Sequence, residues 1–226
     1  TLEAADRIVV VHEAAKAEYA ELVDPSKLRV VPLGVNPDQF EFHERGESHS
    51  LVAIGSLRRR KGYDVLLEAV SRLKETHPNI HLNVFGTGPR EATLREQVAD
   101  LGIAENVTFH GFVEQSVLKD HLADARAFVH PSRSESFSLV RLEAMASGCP
   151  VVVTDIDGAR EMVRDGTDGY VVPRENPKAI ARRTRTLLED VDKAREMGRS
   201  ARRRVEEKYD WATIGQQYVD IYHSLL

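Results

Sequence analysis

The chain has 226 residues, of which 42% are hydrophobic and 30% are charged, and its formal net charge at pH 7 is −5. This composition predicts a packed globular core and excludes a disordered chain, while the negative net charge argues against nucleic acid as a partner. The single cysteine, Cys149, excludes an internal disulfide and favours a reducing, cytoplasmic location, and no apolar run is long enough to span a membrane.

The first 42 residues predict a strand, a helix and a second strand. Apolar runs at 7–11 and 28–33 indicate buried strands, and the stretch 13–23 between them indicates a helix. The polar stretch 43–50 has no periodicity and is typical of an interdomain linker. Because the chain begins with Thr1 and not with methionine, we expect it to be processed or to be part of a longer protein.

Residues 51–172 alternate between apolar runs and helical patterns. The apolar runs lie at 51–54, 80–85, 106–113, 125–130, 151–153 and 169–172, and the helical patterns lie at 63–76, 90–102, 115–124 and 158–164, with one more that ends near Gly148. This alternation predicts an α/β fold with a Rossmann-like, doubly wound parallel sheet. Two further helices are predicted over 176–190 and 192–208, and the spacing of apolar residues from Trp211 to Leu225 predicts a last amphipathic helix.

Two acids bracket the loop and the helix that follow the strand 125–130. Glu135 is in a serine-rich loop, and Glu143 lies eight residues later in the predicted helix. Ligands of open α/β sheets sit at the carboxyl ends of strands, where helix N-termini point free N–H groups outward. Eight residues make a little over two helical turns, so a helix that begins near Glu135 would turn both carboxylates toward one cleft.

The loop after the strand 51–54 carries four consecutive cations. It reads Gly-Ser-Leu-Arg-Arg-Arg-Lys-Gly over 55–62 and precedes a helix, so its cations can meet a diphosphate. A solvated turn is the alternative interpretation of its arginines. After the next strand, Gly86 and Gly88 would allow a close approach to a ligand, and a plain helix-entry turn accounts for this pair equally well.

Together these motifs resemble the donor-site signature of retaining glycosyltransferases of family 4, which have the GT-B fold. The resemblance rests on Glu135-x7-Glu143 followed by Ala-Met-Ala-Ser-Gly-Cys-Pro-Val-Val, on Lys61-Gly62, on Val-Val-Pro-Leu-Gly-Val-Asn-Pro-Asp-Gln-Phe at 30–40, and on the tail around Trp211. It covers essentially the whole chain and implies three parts. Residues 1–42 would be the last strand–helix–strand of an otherwise absent N-terminal domain plus linker, 43–208 the Rossmann-like nucleotide-sugar donor-binding domain, and 209–226 a C-terminal crossing helix that returns toward the N-terminal domain.

The resemblance also implies roles for the site residues. Glu135 and Lys61 would be catalytic, the first meeting the transferred sugar and the second neutralising the leaving diphosphate, and Glu143 would bind the ribose hydroxyls. The other donor-binding candidates are Ser56, Arg60, Gly86, Gly88, Val113, Gln115, Ser138, Leu139 and Val140. The last three would offer backbone N–H groups to the phosphates, and the backbone of Val113 would contact the base. Ser56 stands where the family usually has arginine, which leaves a full charge clamp in doubt.

The same family generally works without a metal, so we expect no cofactor besides the nucleotide-diphosphate sugar that serves as substrate. Asp155, Asp157 and Glu161 fit no standard oxygen cage and are interpreted as loop and helix-capping acids. The oligomeric state is left open by the sequence.

The expected function is transfer of a sugar, with retention of configuration, from a UDP- or GDP-sugar to a glycan, lipid or small-molecule acceptor. We expect the chain alone to be inactive, because the acceptor site would belong to the absent domain. A non-catalytic sugar-nucleotide-binding or scaffolding module of the same fold is the alternative, and Ser56 is the one residue that favours it. A phosphorylase or an epimerase of the same fold is a third hypothesis, and the family 4 motifs argue against it.

The late helices carry a series of arginines, namely Arg182, Arg183, Arg185, Arg199, Arg202, Arg203 and Arg204. Such a basic surface would suit peripheral contact with anionic lipid on the cytoplasmic membrane face. Interleaved acids favour the other interpretation, in which these are ordinary solvated helix faces.

Overall fold

Strands and helices alternate along residues 2–42 and 46–226, which are the residues that the computed structural model describes. The strands are β1 Ile8–Val10, β2 Leu28–Val30, β3 Ser50–Ile54, β4 His81–Phe85, β5 Val107–Gly111, β6 Ala127–His130, β7 Val151–Thr154 and β8 Gly169–Val172. The helices are α1 Glu13–Tyr19, α2 Tyr63–Lys74, α3 Glu91–Asp100, α4 Gln115–Asp124, α5 Leu139–Ala146, α6 Ala159–Met162, α7 Pro177–Glu189, α8 Val191–Lys208 and α9 Trp211–His223. Part of the predicted linker, 43–45, lies outside the described residues.

Strands β3 to β8 form one parallel sheet in the order β5-β4-β3-β6-β7-β8, which confirms the predicted Rossmann-like fold. Successive side chains of a strand point to opposite faces. Accordingly Leu51 and Ala53 of β3 join a core with α2, α3 and α7, whereas Val52 and Ile54 join a second core with α4, α5 and α6. Helix α8 contributes to both cores. The sheet is therefore buried on both faces, as its nearly continuous apolar strands require.

The strand order reverses between β3 and β6. From β3 the chain builds outward through β4 and β5, and then it returns to place β6 on the other side of β3. At such a switch point the two connecting loops diverge to opposite faces and leave a crevice at the carboxyl ends of the strands. The loops after β3 and β6, which carry Lys61 and Glu135, flank that crevice.

Strands β1 and β2 form a separate parallel pair at the N-terminal end of the described chain. This unit is joined to the last helix, because the Val35 N–H donates to the Tyr209 carbonyl at 2.8 Å and the Trp211 N–H donates to the Val35 carbonyl at 3.1 Å. A Cβ on Gly34 would lie 3.1 Å from the Trp211 ring and 3.2 Å from Ile214. The N-terminal unit therefore rests on α9.

Two arginines of the predicted basic surface make hydrogen bonds or ion pairs within the protein. Arg202 donates to the carbonyls of Pro37, Phe40 and Ala146 at 2.7–2.9 Å, and the Arg204 Nε lies 3.5 Å from a carboxylate oxygen of Asp168. Their side chains are 15% and 11% exposed. Neither lipid contact nor simple solvation describes them.

Across the described ranges, no helix combines the length and the apolar character needed to cross a bilayer.

Candidate functional site

The loops after β3 and β6 pack against each other at the switch point. A short turn over Arg59–Lys61 ends at Gly62, whose φ of 67° lies in the left-handed region. A Cβ at Gly62 would lie 2.1 Å from the Pro131 carbonyl oxygen. Since glycine alone fits both the backbone angle and this spacing, Gly62 has a structural reason that is independent of any ligand.

The Glu135 carboxylate is the point where these two loops converge. Its side chain is 6% exposed, and Lys61 Nζ donates to its Oε1. The Ser132 hydroxyl donates to the same oxygen at 2.9 Å, and Arg60 Nη1 donates to Oε2 at 3.1 Å. Of the predicted site residues, Glu135, Lys61 and Arg60 are thus brought into direct contact.

Burial and two of its neighbours, His130 and Lys61, determine the charge of Glu135. Burial by itself would raise its pKa, but hydrogen bonds from His130 and Lys61 outweigh that effect and hold the pKa well below its usual range. Glu135 is therefore ionised at neutral pH. An ionised carboxylate only accepts hydrogen bonds, so the site suits a ligand that brings hydroxyl groups.

A buried polar chain continues behind Glu135. His130, the last residue of β6, is 2% exposed, and its Nε2 lies 3.2 Å from the Ser132 hydroxyl and 3.4 Å from Glu135 Oε1. Arg141 of α5 is also 2% exposed and directs Nη2 at His130 Nδ1 at 3.3 Å. Burial lowers the pKa of His130 to about 4, so this imidazole is neutral at pH 7.

Arg133 fastens the Glu135 loop to its surroundings. Its guanidinium donates to both carboxylate oxygens of Asp64 at 2.8 and 2.9 Å and to the carboxylate of Glu175. Its backbone N–H donates to the Arg60 carbonyl at 2.7 Å. These bonds tie the loop after β6 to the loop after β3 and to the first turn of α2.

A hollow of about 310 Å³ opens beside this cluster, at the ends of β3, β4 and β5. Its lining consists of Ile54, Gly55, Ser56, Phe85, Gly86, Thr87, Gly111, Phe112, Val113 and Leu118. Three predicted site residues, Ser56, Gly86 and Val113, are among them. Gly55 connects the hollow to the cluster, because a Cβ there would lie 3.5 Å from Lys61 Nζ.

The two glycines after β4 are required by neighbouring backbone. A Cβ on Gly86 would lie 2.2 Å from the Gly55 carbonyl oxygen, and one on Gly88 would lie 2.6 Å from the Leu57 carbonyl oxygen. Close packing between the loops after β3 and β4 therefore accounts for both positions. Gly86 also lines the hollow, so approach to a ligand stays a prediction for that residue.

Helix α5 begins at Leu139, not near Glu135, and Ser138 is its N-cap residue. The first N–H groups of a helix have no acceptor within it, so those of Leu139 and Val140 find none inside α5. The Ser138 hydroxyl does not cap the helix, and it is buried without a hydrogen-bond partner among the described residues.

Glu143 lies further along α5, half-buried. Burial raises its pKa, and the charge of Lys119 on α4 partly offsets this rise. Within the described chain, no hydrogen bond or ion pair joins Glu143 to Glu135 or to Lys61, so the structure does not bring the two acids into contact. Gln115, the first residue of α4, is exposed and lies outside the lining of the hollow.

Two of the acids after β7, Asp155 and Glu161, accept hydrogen bonds from other residues of the chain. Asp155 receives two hydrogen bonds from Arg160, at 2.9 and 2.7 Å, and the carboxylate of Glu161 accepts the Glu13 N–H at 3.1 Å. Asp157 is exposed.

Sequence reasoning missed the contributions of Ser132, Arg133 and Arg141. Ser132 and Arg133 are unremarkable in a polar loop, and no local pattern marks them. Arg141 does carry a signal, since it is a charged residue among the apolar residues Leu139, Val140 and Leu142 of a helix predicted to connect two buried strands.

A family model described as glycosyl transferases group 1 matches residues 35–204. The chain is 32% identical over 236 residues to the GDP-mannose-dependent alpha-(1-6)-phosphatidylinositol monomannoside mannosyltransferase of Mycolicibacterium smegmatis, a match that covers 96% of this chain and 62% of that protein.

Solved structures are also similar to this chain. Sucrose-phosphate synthase from Thermosynechococcus elongatus matches with a TM-score of 0.87 and 28% identity, over 99% of this chain and 59% of that one. Anabaena Alr3699/HepE in complex with UDP has the same fold, with a TM-score of 0.90 and 21% identity over 97% of this chain and 64% of that one. The chain thus spans about 60% of the length of these proteins.

Proposed function

The chain belongs to the family of group 1 glycosyl transferases, and on that basis we propose that it is the donor-binding part of a retaining enzyme that transfers a sugar from a nucleotide-diphosphate sugar. The observation that carries the proposal is the Lys61–Glu135 pair at the switch point, beside the hollow that Ser56, Gly86 and Val113 line. Cleavage of such a donor develops negative charge on the leaving diphosphate and positive charge on the sugar. A cation and an ionised carboxylate in contact match both.

The leaving diphosphate would be held by charge and by helix dipole. Lys61 and Arg60 supply two cations from one loop, and the free N–H groups of Leu139 and Val140 supply the positive end of α5. Donors that are already in place where charge develops lower the barrier without reorganising during the reaction. With these groups on the phosphates, the transfer as proposed needs no metal.

Glu135 would accept hydrogen bonds from hydroxyl groups of the donor sugar. It is ionised and is fixed by donors from both loops, so it can stabilise the cationic sugar ring as the bond to phosphate breaks. Glu143, whose raised pKa reflects its half-buried position, would accept the ribose hydroxyls. Val113 and its neighbours at the hollow would contact the base through their backbone.

The names of two similar proteins support a nucleoside-diphosphate sugar as the donor. The mycobacterial relative is named for GDP-mannose and the Anabaena structure contains UDP, so a UDP- or GDP-sugar is the proposed substrate. Because the chain spans about 60% of the length of those proteins, we propose that the acceptor is bound outside these 226 residues and that the chain by itself binds donor without transferring sugar.

Calorimetric titration of the chain with UDP, GDP and ADP tests this proposal. We expect UDP or GDP to bind, and Glu143→Gln to weaken that binding at least tenfold, because a hydrogen-bonded carboxylate contributes about 1.5–3 kcal/mol. Glu68→Gln, a matched change on the exposed face of α2, should leave affinity unchanged. Absence of binding at millimolar nucleotide would contradict the proposal and favour the scaffolding alternative.

A further inference from the structure

The buried polar chain behind Glu135 has a direction that can be assigned from the donors themselves. An arginine guanidinium only donates hydrogen bonds. Arg141 Nη2 faces His130 Nδ1 at 3.3 Å, so Nδ1 must be the bare, accepting nitrogen. The one proton of the neutral imidazole is then on Nε2.

The proton on Nε2 determines the direction of the other hydrogen bonds. His130 Nε2–H points at the Ser132 hydroxyl, 3.2 Å away, and at Glu135 Oε1, 3.4 Å away. The Ser132 hydroxyl in turn donates to Glu135 Oε1 at 2.9 Å. Every hydrogen bond of this buried polar chain therefore runs from Arg141 toward Glu135, and each donor is polarised by the one behind it.

Arg141 lies in an unfavourable place for a residue with only a packing role. It is 2% exposed, its Nε has no hydrogen-bond partner among the described residues, and its Nη1 faces the sulfur of Met162 at 3.8 Å. A buried guanidinium without a carboxylate against it is costly, and an apolar residue of similar size would often pack there at no loss of stability. The nearby negative charge that opposes this cost is Glu135.

We propose that Arg141 is a positioning residue for Glu135, which it controls by fixing the Nε2-protonated tautomer of His130. This inference rests on the proposed function, in which Glu135 holds the donor sugar. The buried polar chain from Arg141 through His130 and Ser132 ends at Oε1 of Glu135, which also accepts a hydrogen bond from Lys61. Oε2, to which half-exposed Arg60 donates, is left to face the sugar hydroxyls.

Nitrogen-15 NMR of the chain labelled at histidine tests the tautomer directly, because a bare and a protonated ring nitrogen have well-separated chemical shifts. The His130 signals are identified as those that His130→Gln removes. We expect a bare Nδ1 and a protonated Nε2 in the wild type at pH 7. A protonated Nδ1 would overturn the proposal, and this measurement needs no variant of Arg141 to fold.

Two variants then test whether Arg141 is the cause. Arg141→Met keeps the length and removes the donors, so we expect the His130 tautomer to become mixed. Arg141→Lys keeps a cationic donor and should retain the wild-type tautomer. An unchanged His130 spectrum in Arg141→Met would contradict the assignment.

The consequence for the donor is measured separately, as the affinity gained when UDP is replaced by UDP-glucose, or GDP by GDP-mannose. In Arg141→Met we expect this gain from the sugar to fall roughly tenfold while the affinity for the nucleotide alone is unchanged, since the altered contact is a hydrogen bond to a charged group. Equal gains in both proteins would refute the positioning role. Failure of the proposed function would appear instead as absent nucleotide binding in the wild type, a result that leaves the tautomer measurement intact.

Discussion

Lys61 and Glu135 stabilise each other at the edge of the sheet. Glu135 is nearly buried and Lys61 is 12% exposed, and an isolated charge in either position would lose its hydration without compensation. In contact, each supplies the opposite charge that the other needs, and Arg60 and Ser132 satisfy further lone pairs of the carboxylate. A nucleotide diphosphate that enters the site would bring its own negative charge to the same lysine.

Lys61→Met tests whether that lysine meets the diphosphate. We expect affinity for the preferred nucleoside diphosphate to fall roughly tenfold or more, because a charge-assisted hydrogen bond to phosphate is lost. Affinity for the corresponding monophosphate should change much less. Both are measured by calorimetric titration.

Lys208→Met, at the exposed end of α8, is the control for the overall change in charge and should bind both nucleotides as the wild type does. Equal losses of affinity for the monophosphate and the diphosphate in Lys61→Met would mean that the lysine does not contact the terminal phosphate.

At the scale of the elements, the carboxyl ends of β3, β4 and β5 and the loops that follow them are joined by backbone hydrogen bonds. The Gly55 N–H donates to the Phe85 carbonyl at 2.9 Å, and the Gly86 N–H donates to the Gly111 carbonyl at 2.7 Å. All three glycines have positive φ, from 70° to 147°. The three glycines contribute main chain to the lining of the hollow, and its shape depends on the absence of side chains at these positions.

Gly86→Ala should be costly for that reason. The new Cβ would lie 2.2 Å from the Gly55 carbonyl oxygen on a backbone with φ of 124°, so we expect the free energy of unfolding to fall by about 3 kcal/mol. Urea denaturation measures the change.

The matched control is Gly102→Ala, where φ is also positive, at 64°, but the added Cβ meets nothing within 4 Å. This substitution carries the conformational cost alone, about 1 kcal/mol. Equal losses of stability in the two variants would show that contact between the loops is unimportant.

For the whole molecule, the strand order determines where the site lies, and α9 determines what the N-terminal unit rests on. The six-stranded sheet has its two cores on opposite faces, while β1 and β2 have a small cluster of their own. Their connection to the rest includes the paired backbone bonds between Val35 and the start of α9. The N-terminal unit is therefore expected to open more readily than the sheet.

Ile214→Ala tests this connection. Ile214 is fully buried on α9 against Gly34, so its truncation leaves a cavity there. We expect faster amide hydrogen exchange in residues 28–35 and at Trp211, with exchange in β3, β6 and β7 nearly unchanged, as measured by hydrogen-exchange mass spectrometry.

Val219→Ala on the same helix removes an exposed side chain and should leave all of these rates unchanged. Uniformly faster exchange throughout the sheet in Ile214→Ala would mean that the N-terminal unit and the sheet unfold as one.

The sequence by itself determined the class of fold and the main chemical groups of the site. Alternating apolar runs and helical patterns identify strands buried on both faces, because each such strand must lie in a sheet that helices cover. The spacing of Glu135 after one strand and Lys61 after another, together with the resemblance to a known donor site, identified two side chains that the structure places in contact. Each of the two motifs can be recognised in the sequence because its own residues, Lys61-Gly62 in one and Glu135 to Glu143 in the other, lie within a short stretch.

The tertiary structure alone decided the strand order, the N-terminal limit of α5 and the partners of the long side chains. Periodicity shows which face of an element is buried but not which element covers it, so the pairing of β3 with β6 was not predictable from pattern. Arg202 reaches the carbonyls of Pro37 and Phe40, which are 165 and 162 residues away in sequence. Its charge, which suggests exposure, is offset by carbonyls that only the folded chain brings near.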